Sequence, residues 1–196
     1  MPPLASFTAE NDQDKNGQFS KDEFPAGPLR DRFTQIDLDK DGLVTPDEWR
    51  VSEEIFSKAE NALFAVRPGG RGDITETHVA WKQTRGLPYV PSPFFYDGRV
   101  YVVKNGGMVS CYEAKTGRTL YQEERLGALG DYYSSPVAAD GKVYFASQQG
   151  VVSVIQAGDV FHVLARNDLE QPIMATPAVV DGIIYLRTAG YLNAFG

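Results

Sequence analysis

Hydrophobic patterning changes character near residue 60. Before it, apolar residues are sparse and recur at helical spacing. Leu4 and Phe7 mark a thin first helix, and Leu29, Phe33 and Ile36 a short second one. Residues 46–60 (PDEWRVSEEIFSKAE) predict an amphipathic helix anchored by Trp49, Ile55 and Phe56. Pro25, Gly27 and Pro28 stop any helix that starts near residue 21 within about a turn and a half. After residue 60, short β-branched and aromatic runs alternate with turns, which predicts strands. The expected fold class is therefore α+β in separate parts: a short helical segment over 1–60, then all-β antiparallel structure over 61–196.

Two acidic twelve-residue stretches lie between the helical segments, DQDKNGQFSKDE (12–23) and DLDKDGLVTPDE (37–48). Both match the helix–loop–helix calcium motif known as the EF-hand. Asp12 or Asp37, Asp14 or Asp39, and Asn16 or Asp41 stand at positions 1, 3 and 5. Gln18 or Leu43 offers a backbone carbonyl at position 7, Ser20 or Thr45 stands at 9, and Glu23 or Glu48 closes the loop at 12. Calcium takes ~6–8 oxygen ligands, so short carboxylates converge on it, glycine (Gly17, Gly42) makes the sharp turn, and the longer glutamate adds two oxygens. Two calcium ions are expected, with the second loop the tighter site because it carries four carboxylates against three. Magnesium prefers to keep its water and a rigid octahedron. Phe19 and Val44 at position 8 predict a short backbone bridge between the loops. Ser20-x-x-Glu23 and Thr45-x-x-Glu48 read as capping boxes, with Pro46 at the first helical position. The short spacing, and methionines only at 1, 108 and 174, favour a structural pair over a sensor that opens a groove. A dockerin-like pair shares the spacing, but Glu at position 12 argues against it.

The formal charge of −7 belongs to this segment: residues 10–60 hold fourteen acids against seven bases, and residues 61–196 hold twelve of each. No basic face for nucleic acid is present, and no run is long and apolar enough to span a membrane. The opening MPPLASFTAEN has neither the charged start nor the apolar run of a secretion signal. Cys111, the single cysteine, excludes an intrachain disulfide and reads as a small buried hydrophobe.

The second region repeats. SPFFYDGRVY (92–101), SPVAADGKVY (135–144) and TPAVVDGIIY (176–185) share a proline, Asp-Gly four residues on, and a tyrosine three beyond the glycine. Asp-Gly suits a primed hairpin turn. Third strands follow at 109–113, 151–155 and 191–195, and fourth strands follow Thr116-Gly117 and Gly158-Asp159. Four strands per ~42 residues is the signature of a propeller blade. The blades expected are a partial one at 61–88, two full ones at 89–131 and 132–172, and a partial one at 173–196.

These steps, with the stretch Gly107–Gly117 (GMVSCYEAKTG), resemble the PQQ-like, quinoprotein dehydrogenase-like propeller family. Closed propellers have ~4–8 blades, so the chain reads as the C-terminal portion of a larger protein, its calcium pair inserted between strands of one blade. Alternatively, open strand edges pair between chains. A quinone-linked enzyme of that family implies a vicinal cysteine pair, a sandwiching tryptophan and an aspartate base beside calcium. One cysteine makes PQQ an unlikely cofactor. Trp81 falls on an outer strand, where such residues pack between blades. His78 and His162 lack ligand spacing and read as strand-surface or interblade residues. No catalytic residue declares itself. The expected function is a calcium-ion-binding protein with a non-catalytic propeller scaffold. The alternatives are a fragment of a PQQ-dependent oxidoreductase and a calcium-responsive interaction module. Its partner would be an unidentified protein or small molecule on the loop face, including Gly127–Tyr133 and Arg166–Gln171. The resemblance alone implies an exported, extracytoplasmic bacterial protein.

Overall fold

The computed structural model describes residues 1–196, which divide into two compact units, Met1–Glu60 and Asn61–Gly196.

In the first unit, α1 (Leu4–Asn11) leads into the first acidic loop, which ends in the two-residue strand β1 (Phe19–Ser20) and a single 3₁₀ turn, Lys21–Glu23. Two four-residue helices follow, α2 (Pro28–Asp31) and α3 (Phe33–Ile36). The second loop contains β2 (Leu43–Val44) and opens into α4 (Pro46–Lys58). Strands β1 and β2 pair antiparallel, Phe19 against Val44 and Ser20 against Leu43, so the position-8 residues do bridge the loops. Both join a core of Phe7, Phe24, Phe33, Ile36 and Trp49. Trp49 is its hub, with ring centroids 4.2 Å from Phe7, 5.7 Å from Phe19 and 6.0 Å from Phe24.

Two sequence readings change here. The single helix expected through Leu29, Phe33 and Ile36 is broken at Arg32, whose N–H bonds to the Leu29 carbonyl three residues back instead of four. Ile55 is not an anchor: it is 57% exposed. At 3.6 residues per turn the buried stripe of α4 runs through Trp49, Ser52 and Phe56, and Ile55 falls on the opposite face.

The second unit is four antiparallel sheets. The first pairs β3 (Leu63–Val66) with β4 (Val79–Gln83), preceded by the helical turn α5 (Thr75–His78). The next is a four-strand meander of β5 (Phe94–Tyr96), β6 (Arg99–Lys104), β7 (Met108–Glu113) and β8 (Thr119–Arg125). A second meander follows: β9 (Val137–Ala139), β10 (Lys142–Ala146), β11 (Val151–Gln156) and β12 (Val163–Asp168). The last has three strands, β13 (Ala178–Val180), β14 (Ile183–Arg187) and β15 (Leu192–Phe195). None closes into a barrel; these are blades of an incomplete propeller. Each Asp-Gly pair is a two-residue hairpin loop with positive φ at both positions, 47° and 74° at Asp97-Gly98, 50° and 70° at Asp140-Gly141, 50° and 78° at Asp181-Gly182. That geometry matches the twist of the flanking strands.

The repeated residues also join blade to blade. Ser92 N–H donates to Ser135 Oγ at 2.9 Å, and Ser135 N–H donates to Thr176 Oγ1 at 3.0 Å. Gly141 N–H donates to the Tyr96 hydroxyl, and Gly158 N–H to the Tyr101 hydroxyl. Trp81 packs between blades, its indole N–H on the Ala114 carbonyl at 2.9 Å. A Cβ at Gly117 would lie 2.6 Å from that indole, so only glycine fits beneath it. The seam between the two meanders is a continuous core of Tyr101, Val103, Val109, Cys111, Val143, Phe145 and Ile155. The seam with the three-stranded sheet is smaller: Ala146, Val152, Ile173 and Leu186.

Candidate metal centre

The two acidic loops fold alike because their polar side chains bond to their own backbone. Lys15 and Lys40 take left-handed φ of 58° and 63°, and Gly17 and Gly42 take 78° and 90°. That bend aims successive N–H groups inward. Gly17 N–H donates to Asp12 Oδ2 and Gly42 N–H to Asp37 Oδ2, both at 3.1 Å. Asp14 and Asp39 accept from the N–H two residues on, also at 3.1 Å. Asn16 Oδ1 and Asp41 Oδ1 accept from Gln18 and Leu43 N–H at 2.7 and 2.8 Å.

Glu23 and Glu48 tie the two ends of each loop together. Glu23 accepts from Gln13 N–H with one oxygen and from the Ser20 N–H and hydroxyl with the other. Glu48 does the same with Leu38 N–H and with Thr45, whose hydroxyl also accepts from Glu48 N–H at 3.3 Å. The Ser20 N–H bond is the chief influence holding the Glu23 carboxyl below its ordinary pKa. Burial raises that of Glu48, but the Thr45, Leu38 and Asp39 bonds outweigh it and the net shift is downward. The position-2 backbone donors, at Gln13 and Leu38, were invisible in the sequence, because any residue supplies an N–H.

One oxygen from each of Asp12, Asp14 and Glu23 lies within 4.8 Å of the others, and Asp37, Asp39 and Glu48 form the same trio. Asn16 and Asp41 stand beside these trios with a side-chain oxygen committed to the backbone. Ser20 and Thr45 turn their hydroxyls to the glutamates. In each loop one oxygen is left over: Asp12 Oδ1 and Asp37 Oδ1 are buried and accept no hydrogen bond. Leaving a buried carboxylate oxygen unpaired costs at least ~1–3 kcal/mol. Three carboxylates around a buried, unpaired oxygen fit a hard divalent cation.

The remaining candidates carry no comparable chemistry. Cys111 is buried, and burial pushes its thiol up to about 11. His78 Nδ1 pairs with Thr77 Oγ1 at 2.7 Å.

A family model described as outer membrane protein assembly factor BamB matches residues 48–157, more than half of the chain. The chain belongs to the BamB family. An EF-hand model matches residues 29–51, which include the second loop. No curated protein matches. Among solved structures, BamB from Moraxella catarrhalis is 19% identical, with 60% of this chain and 36% of that chain covered and a TM-score of 0.49. The computationally designed Ika4 protein is 15% identical, with 70% and 86% covered and a TM-score of 0.52. Quinohemoprotein alcohol dehydrogenase ADHIIG from Pseudomonas putida HK5 is 21% identical, with 57% and 19% covered and a TM-score of 0.43. These likenesses concern the fold. This chain spans about a third of the BamB chain it matches. No helix is long and apolar enough to cross a membrane.

Proposed function

We propose that this member of the BamB family is a calcium-binding protein whose propeller is a non-catalytic scaffold for a protein partner. The supporting observation is the pair of buried, unpaired oxygens, Asp12 Oδ1 and Asp37 Oδ1, each at the centre of a carboxylate trio. Asp12, Asp14, Asn16 and Glu23, with the Gln18 carbonyl and Ser20 through water, would hold one ion. Asp37, Asp39, Asp41 and Glu48, with the Leu43 carbonyl and Thr45 through water, would hold the other. Bound calcium supplies two positive charges that offset the repulsion among the carboxylates. The backbone N–H bonds already hold each carboxylate in place, so binding asks for little rearrangement. Burial of Trp49 and its aromatic neighbours leaves no methionine-lined groove to open, which favours a structural role over a sensing one.

The scaffold reading rests on the family, whose description names an assembly factor for outer membrane proteins. By that kinship we place the protein outside the cytoplasm, where ~10⁻⁴–10⁻³ M calcium sites are common. The test is calorimetric titration of the full chain with calcium. Two bound ions are expected, and none in the Asp12→Ala/Asp37→Ala double variant. Unchanged binding by that variant, with its helical signal intact, would overturn the assignment.

A further inference from the structure

The third strands of the three larger sheets are equivalent by register but not by environment. In β7 and β11 the four central residues are buried, whereas β15 has none. The strands β8 and β12 cover the outer edges of β7 and β11; nothing pairs with the outer edge of β15. Ile155 and Phe195 hold the same place, opposite Val143 and Ile184. Ile155 is buried, and Phe195 is 47% exposed.

Beside that edge lies a cavity of about 350 Å³, walled by Tyr144, Val152, Leu169, Ile184, Leu186 and Phe195. The preceding seam shows what fills such a space. There β12 and the turn before it send Phe161 onto Tyr121, with ring centroids 5.5 Å apart, and Val163 into the core. Arg166 then reaches back to donate to the Leu126 carbonyl. Leu126 and Leu169 are repeat equivalents: their N–H groups bond to the carbonyls of Gly107 and Gly150. The next seam therefore repeats the acceptor position and the apolar wall, without a strand to occupy them.

We propose that the outer edge of β15 and this cavity form a docking site for an extended strand of another polypeptide chain. The strand would carry an aromatic residue, a β-branched residue two positions on and a basic residue three beyond that, in the order Phe161, Val163, Arg166. Backbone pairing supplies affinity, and the alternate side chains supply selectivity. Apolar continuity with the seam argues for a strand rather than a small molecule.

A synthetic peptide of residues 158–168 (GDVFHVLARND) is the probe, added to the full chain and followed by fluorescence anisotropy. Saturable binding is expected, at least tenfold weaker when alternate peptide amides are N-methylated and at least tenfold weaker to a Phe195→Lys protein. The N-methylated peptide blocks pairing without altering the protein, so the result does not depend on how the variant folds. Equal binding of the methylated and unmethylated peptides, or no binding at millimolar peptide, would overturn the proposal. So would concentration-dependent self-association of the chain alone that Phe195→Lys abolishes, because the occupant would then be a second copy.

Discussion

The two acidic loops share their internal hydrogen bonds almost atom for atom, yet their surroundings differ. Loop two opens into the 13-residue α4, with Thr45 accepting from Glu48 N–H and Glu48 returning the bond. Loop one opens into a single 3₁₀ turn that Phe24 ends. The same carboxylate trio forms on both supports. Loop geometry is therefore set inside the twelve residues, by Asp, Asn and Gly, and the flanking helices serve mainly to bury the aromatic core. The glutamates do double work in loop two only, where one side chain closes the trio and caps a long helix.

The largest effect should fall on what the loops share. Trp49→Ala removes the hub of the core, and a loss of about 3–5 kcal/mol is expected in denaturant unfolding of the first unit, with both loops failing together. Chelation comes next. Calcium at a hundred times its Kd should add about 2.7 kcal/mol of stability to that unit, read as a fall in melting temperature when a chelator is added. Third, Glu48→Gln and Glu23→Gln should each weaken one site at least tenfold, or about 1.4 kcal/mol. Only Glu48→Gln should also reduce helical circular dichroism without metal. Fourth, Thr45→Ala should cost about 1 kcal/mol as a lost helix cap. Ser20→Ala should cost less than half of that, because its turn is three residues long; equal losses would end the distinction between the two supports.

The smallest effect concerns acid. Both glutamates are held below their ordinary value of 4.5 in the folded state. Their contribution to stability is complete above about pH 4.5 and is lost as pH falls through the lowered folded values. Melting of the metal-free chain between pH 6 and 3 should show that loss, and a Glu23→Gln/Glu48→Gln double variant should flatten it.

Much of this was readable from residue order. The repeat of Pro, Asp-Gly and Tyr named the blades because a primed turn leaves a strict mark. The acidic spacing named the loops because each position serves one point in space. The β1–β2 bridge followed from two apolar residues at position 8. Other features left weaker marks. Ile55 looked like core because it is large and apolar, but helical phase puts it on the far side of α4 from Trp49. The break at Arg32 depends on a backbone bond that no residue type announces. Arg166 clasping a neighbouring blade, and the unpaired oxygens of Asp12 and Asp37, arise from tertiary placement. Sequence could name Asp12 as a candidate; it could not say which of its two oxygens would be spoken for.

The hydroxyl relay from Ser92 through Ser135 to Thr176 bears on how such a chain changes length. Each hydroxyl receives the amide of the blade before it, so every junction presents the same donor and the same acceptor. Excise one whole period between two of these positions, and the amide of the earlier blade meets an equivalent hydroxyl on the later one. Repeats can then be gained or lost in whole units with the joint remade each time, whereas a partial excision strands an amide at the break.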